Sequence, residues 1–167
     1  MTEQLLIFPH QLFRDHPGLE GAPSGVVLVE DGLFFGDPHH PMSFHKQKLW
    51  LHRASMKKYE AWLLSRSFKV DYAGHETGQD VLGSRVESLA SDGVKKLVTL
   101  DPHDFLLEKR LGRLCKKHDL HLEVLETSMF LNTAEQNTAY RSGKKRWFMA
   151  DFYKHQRRRL DVLMDGD

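Results

Sequence analysis

A single cysteine, Cys115, occurs in the 167 residues, so this chain can form no intrachain disulfide, thiolate zinc cage or iron–sulfur cluster. A lone thiol fits a reducing compartment, and the expectation is a cytoplasmic protein. The first residues, MTEQLLIFPH, lack the basic start and apolar stretch of a secretion signal. No run approaches the roughly 20 apolar residues of a membrane span, so no membrane partner is expected. Charge of one sign is also missing. Lys and Arg total 24 against 23 Asp and Glu, a balance that by itself indicates neither nucleic acid nor an acidic partner. Phosphate-binding glycine patterns are absent too: no G-x-G-x-x-G follows the first apolar run, and neither G-x-x-x-x-G-K-[ST] nor G-x-S-x-G occurs. The loop after that run is built from proline and bulky side chains (FPHQLF), which disfavours a close backbone embrace of a pyrophosphate.

What is present is an ordinary globular composition, 40% hydrophobic and 28% charged, patterned in alternating segments. Five short apolar runs recur: QLLIF (4–8), GVVLVE (25–30), KVDYA (69–73), KKLVTL (95–100) and LHLEVLE (120–126). The first, second and fourth are nearly continuous, as in parallel strands buried on both faces; the third and fifth alternate, as edge strands do. Helical spacing predicts helices over 44–66, 80–92, 104–117 and 145–164. Ser43 is the expected cap of the first, and Gly93 closes the second. Strands alternating with helices imply an α/β fold: a Rossmann-like five-stranded parallel sheet, order 3-2-1-4-5, with helices on both faces and a C-terminal helical extension. The expected division is an α/β domain over 1–130, then a polar linker and the start of a helical region over 131–167.

Ligands of open α/β sheets sit beyond the carboxyl ends of the strands, where strand order reverses. Here that point falls between the first and fourth strands. The loops reaching it are PHQL (9–12) and DPHDF (101–105), with EDGLFF (30–35) alongside. They supply amide, carboxylate, imidazole and aromatic groups suited to a flat polar molecule, with each residue also open to a plainer role. Glu30 and Asp31 can end a strand in water, Gln11 can be a loop residue, Asp104 is a natural helix cap, and Phe34 and Phe35 fit a core. His45, Lys48 and His52 share one helix face, readable as a solvated basic surface or as a wall of the pocket. His39 and His40 lie near His45 without an obvious carboxylate or thiolate supply, so no metal is expected there. Lys154 and Arg157 to Arg159 fan around the last helix; solvation is the default, with a nucleic-acid contact as the alternative.

Several stretches, in order, resemble deoxyribodipyrimidine photolyase-related proteins: HQLF, VEDGLFF, FHKQKLWLHRASMKKY, MFLNT and FYKHQRRRLDVLMDG. These are the iron–sulfur branch of the photolyase/cryptochrome superfamily, which includes the prokaryotic (6-4) photolyases. The resemblance implies the N-terminal antenna domain of a DNA-repair or blue-light photoreceptor protein. On that reading His10, Gln11, Glu30, Asp31, Phe34, His45, Lys48 and Asp101 bind 6,7-dimethyl-8-ribityllumazine. Many relatives read GDQL where this chain reads PHQL. FAD and a 4Fe-4S cluster are implied only for a C-terminal domain outside these residues, which would be the partner of this one. DNA is then reached only through the full-length protein, and this chain alone is expected to be catalytically inert. A freestanding nucleotide-binding α/β domain is the alternative.

Overall fold

The computed structural model describes residues 2–164. Five strands, β1 (Glu3–Ile7), β2 (Val26–Val29), β3 (Val70–Ala73), β4 (Lys96–Leu100) and β5 (His121–Leu125), form one sheet in the order β3-β2-β1-β4-β5, every pair parallel. This is the Rossmann-like α/β architecture expected from the alternation of patterns. The registers Leu5↔Val26 and Leu5↔Val98 place β1 at the centre.

Two-residue periodicity divides the central strands between two cores. Leu6, Phe8, Val27, Val29 and Leu97 pack on one face with α4 (Val81–Ser91) and α5 (Phe105–Lys117), through Leu82, Val86, Leu107 and Leu111. Leu5, Ile7, Val26, Leu28 and Val98 pack on the other, against Met56, Tyr59 and Leu63 of α3 (Lys46–Ser65). Burial on both sides explains the unbroken apolar runs of β1 and β2. The edge strands are wetter, and Val124 of β5 is 49% exposed. Two short helices, α1 (Pro17–Glu20) and α2 (Gly32–Phe35), lie in the loops that follow β1 and β2.

Local signals set most helix ends. Asp80 and Asp104 accept hydrogen bonds from Gly83 N and Leu107 N as N-caps. Gly93, at φ +83°, stops α4 in the left-handed region that glycine occupies without Cβ strain. The cap of α3 is His45 rather than Ser43: its Nδ1 accepts from Gln47 N at 3.2 Å, so the helix starts two residues later than a Ser43 cap requires.

Residues up to Thr127 form one compact unit and Ser128–Asp167 a second. The second contains α6 (Ala134–Arg141) and α7 (Met149–Leu160). The connection read as a polar linker therefore includes a helix. Its signal is a capping box, Thr133 with Gln136, in which each side chain bonds the other's backbone N–H. The last helix is also shorter than 145–164, because Asp161 turns left-handed and leaves Leu163 outside it.

His16, the N-cap of α1, is 1% exposed and accepts from Gly18 N through Nδ1 at 3.1 Å. Burial pushes its pKa down to about 4. The unfolded chain, titrating near the ordinary ~6.5, takes up this proton first, so stability is fully present above that value and falls with pH toward 4. Urea unfolding at pH 7 and pH 5 is expected to differ by about 2 kcal/mol from this group. A His16→Asn variant, which keeps an acceptor, should flatten that dependence; an unchanged slope would exclude the assignment.

Candidate functional site

The strand ends on either side of the β1/β4 gap are joined by Gln11. It is fully buried, accepts from Phe8 N at 3.2 Å and donates Nε2–H to Leu100 O at 3.0 Å. The amide thus satisfies two backbone groups left at the ends of parallel strands. Beside it, the His10 ring lies 5.0 Å from that of Phe34, nearly parallel, and the Phe34 ring meets His52 edge-on at 6.1 Å. Nε2 of His10 is 3.0 Å from Pro102 O. A carbonyl only accepts, so Nε2 carries the proton. Burial lowers the pKa of His10, and the neutral ring then presents Nδ1 as an acceptor. That atom is buried and has no partner among the described residues.

The two carboxylates after β2 diverge. Glu30 points toward α3 and β3, where Arg53 Nε donates to it at 2.8 and 3.1 Å, Tyr72 Oη at 2.6 Å and His75 N at 2.7 Å. The Arg53 guanidinium closes the contact through a second nitrogen. Burial opposes ionisation of Glu30, but these donors outweigh it and hold the pKa below the ordinary range. Asp31 points toward α5. It caps α2 through Leu33 N at 2.9 Å and accepts from Arg110 Nη1 at 3.0 and 3.1 Å, while the same guanidinium pairs with Asp37. Burial raises the pKa of Asp31 despite these contacts. At Asp37 burial also opposes ionisation; Arg110 and the N–H groups of His39 and His40 prevail, and its pKa falls to about 2.

The other sequence-derived residues spread along the rim. Asp101 accepts from His103 N at 2.9 Å and shapes the loop after β4. His45 is exposed at its cap, and Lys48 places Nζ 4.2 Å over the Phe44 ring. His10, Gln11 and Phe34 therefore come together, Glu30 and Asp31 are bound into separate ion pairs, and His45 and Lys48 face solvent. Of the helix-face residues it is His52 that reaches the rings, and burial, with Lys48 nearby, lowers its pKa.

His52 also lines a groove of about 840 Å³ between α3 and the loop after β1, formed with Pro9, Leu12, Arg14, Tyr59 and Trp62 and completed by Leu51, Ser55 and Lys58. The Tyr59 and Trp62 rings stack at 5.1 Å, and Tyr59 Oη donates to Phe13 O at 2.7 Å, tying the helix to the loop. His52, Ser55, Tyr59 and Trp62 are spaced three, four and three apart, a helical stripe that was present in the sequence and points at this groove. Arg14 and Lys58 carried no such signal. The groove has the size of a small-molecule site, with apolar and aromatic walls and a few polar groups.

The whole chain is 32% identical to "Uncharacterized protein R852" of Acanthamoeba polyphaga mimivirus, an alignment covering 100% of this chain and 87% of that protein. The family model described as deoxyribodipyrimidine photo-lyase-related protein matches residues 5–167, from β1 through the last helix. The chain belongs to the deoxyribodipyrimidine photo-lyase-related protein family.

Proposed function

We propose that the α/β unit binds a planar chromophore, 6,7-dimethyl-8-ribityllumazine or a molecule of that kind, in the groove beside His52. It then serves as the antenna domain of a photolyase-related protein of the iron–sulfur branch. The observation that carries this reading is the meeting of an aromatic-walled groove with the His10, Phe34 and His52 rings at the strand-order reversal. Bound there, the pigment would supply light absorption.

The residues fit such a group. Tyr59, Trp62 and His52 offer ring faces and edges, and Ser55, Lys58 and Arg14 offer polar contacts to a polyol. His10 stands outside the groove lining and meets it through the Phe34 and His52 rings; its buried Nδ1 has no partner among the described residues. Gln11, Glu30, Asp31 and Asp101 act by fixing the strand ends and loops; Lys48 and His45 stand at the open rim. A four-iron cluster does not fit this chain. Its one thiol lies in the core, where burial pushes the Cys115 pKa up to about 11. Flavin and cluster belong to a further domain in this reading, and the chain alone is catalytically inert.

Titration with ribityl-lumazine, followed by absorbance and fluorescence, is expected to show saturable binding with a shifted band. His52→Ala should weaken it about tenfold, the scale of one lost aromatic contact with its buried area. AMP or ATP should leave the melting temperature unchanged. Stabilisation by a nucleotide with no response to the lumazine would replace this reading with the nucleotide-binding one.

A further inference from the structure

The Ser128–Asp167 unit carries an open surface cavity of about 490 Å³ lined by half-buried Tyr140 and exposed Lys144, Asp151, Lys154, His155 and Arg158. Two independent features set it apart. The first is charge. Lys144, Lys154 and Arg158 face one carboxylate, Asp151, and none of the four is held in an ion pair among the described residues. Leaving His155 aside, the lining carries a surplus of two positive charges. The second is an orphaned hydroxyl. Tyr140 Oη is buried and has no hydrogen-bond partner among the described residues. A buried donor without a partner is costly; the hydrogen of this hydroxyl cannot be taken by the surrounding cations, which are donors themselves, and it does not reach the Asp151 carboxylate.

Both features ask for the same thing: an anion with several acceptor oxygens. The ring of Tyr140 is held for it by Phe152, edge-on at 5.1 Å, by His155 at 4.7 Å and by Lys144, whose Nζ lies 4.3 Å from the ring centroid. The hydroxyl position is therefore fixed before any ligand arrives. A phosphomonoester carries about −1.5 to −2 at neutral pH and has three strong acceptor oxygens, matching the surplus of two and the four available donors. A phosphodiester carries one negative charge and leaves half the surplus unmet.

We propose that this cavity is a phosphate site that takes the terminal phosphate of a phosphomonoester. Tyr140 donates its hydroxyl hydrogen to one oxygen, and Lys144, Lys154 and Arg158 donate to the others. The site rests on residues of the helical unit alone and does not depend on the chromophore reading.

The test is calorimetric titration of the full chain with glycerol 2-phosphate, inorganic phosphate and dimethyl phosphate, each at matched chloride. The first two are expected to bind saturably, one to one, and dimethyl phosphate far more weakly. Binding should weaken below about pH 6, as the phosphate dianion is protonated to the monoanion. Tyr140→Phe should lose at least about tenfold in affinity while melting no lower than the parent in phosphate-free buffer, because it removes an unpaired hydroxyl. Arg158→Gln, at an exposed position that the fold does not need, should lose a similar factor. Absence of saturable binding above matched chloride would overturn the proposal. So would wild-type affinity in both variants, dimethyl phosphate binding as tightly as the monoester, or binding confined to oligonucleotides.

Discussion

Arg110→Met is expected to destabilise the protein by about 3–5 kcal/mol at pH 7, the range for stranding a buried charge by removing its partner. The Arg110 side chain is 13% exposed and its guanidinium pairs with Asp31 and Asp37, whose side chains are 1% and 3% exposed. Without it two buried carboxylates face each other with only backbone N–H groups and the half-exposed His40 ring, 3.4 Å from Asp37, to hold them. Methionine keeps most of the packing of the arginine stem, so the loss measures charge rather than volume. The pH dependence has a definite sign. In the wild type the depressed Asp37 pKa contributes stability above the ordinary carboxylate range that is lost as pH falls toward 2. In the variant both carboxyls have raised pKa values, so its deficit should shrink at pH 5 as they take up protons. Urea unfolding at the two values measures this; a loss below about 1 kcal/mol at pH 7 would show that the three groups do not form one buried unit.

Arg53→Ala comes next, at about 3 kcal/mol, and should exceed Glu30→Gln. The asymmetry follows from exposure, since Arg53 is 53% exposed and Glu30 0%. Removing the arginine strands a buried carboxylate on Tyr72 and His75 N, whereas removing the carboxylate leaves a guanidinium that water can reach. The wild-type Glu30 pKa is lowered, so its contribution is present above about pH 4.3 and lost in acid; without Arg53 burial raises the Glu30 pKa, and the Arg53→Ala deficit should narrow in acid as that carboxylate takes up a proton. Equal losses in the two variants, with no pH effect, would contradict this account of the network.

The fold was legible because its cause is local. Continuous apolar runs at β1 and β2 and mixed ones at β3 and β5 separate central from edge strands, and the order β3-β2-β1-β4-β5 follows from parallel, right-handed connections. Helix α6 was missed because its residues are mostly polar, although Thr133 and Gln136 marked its start. The arrangement of the candidate site was legible in part. His10, Gln11 and Phe34 follow from the rule that ligands meet strand ends. The engagement of Glu30 and Asp31 was not readable, because their partners lie 23 and 79 residues away and each could serve any carboxylate nearby. A charged residue at a strand end looks the same in sequence whether it meets a ligand or an arginine. The outer wall of His52, Tyr59 and Trp62 was not read from the sequence, because helical spacing alone does not say which face of α3 meets the loop after β1.

The antenna reading places a flat pigment against that wall, and heteronuclear NMR during a ribityl-lumazine titration tests this most directly. Saturable shifts are predicted at Leu12, His52, Tyr59 and the Trp62 indole N–H, with the outer face of α5 unmoved. Shifts that never saturate, or that gather around Arg113 and Lys117 of α5 while the groove stays silent, would contradict it.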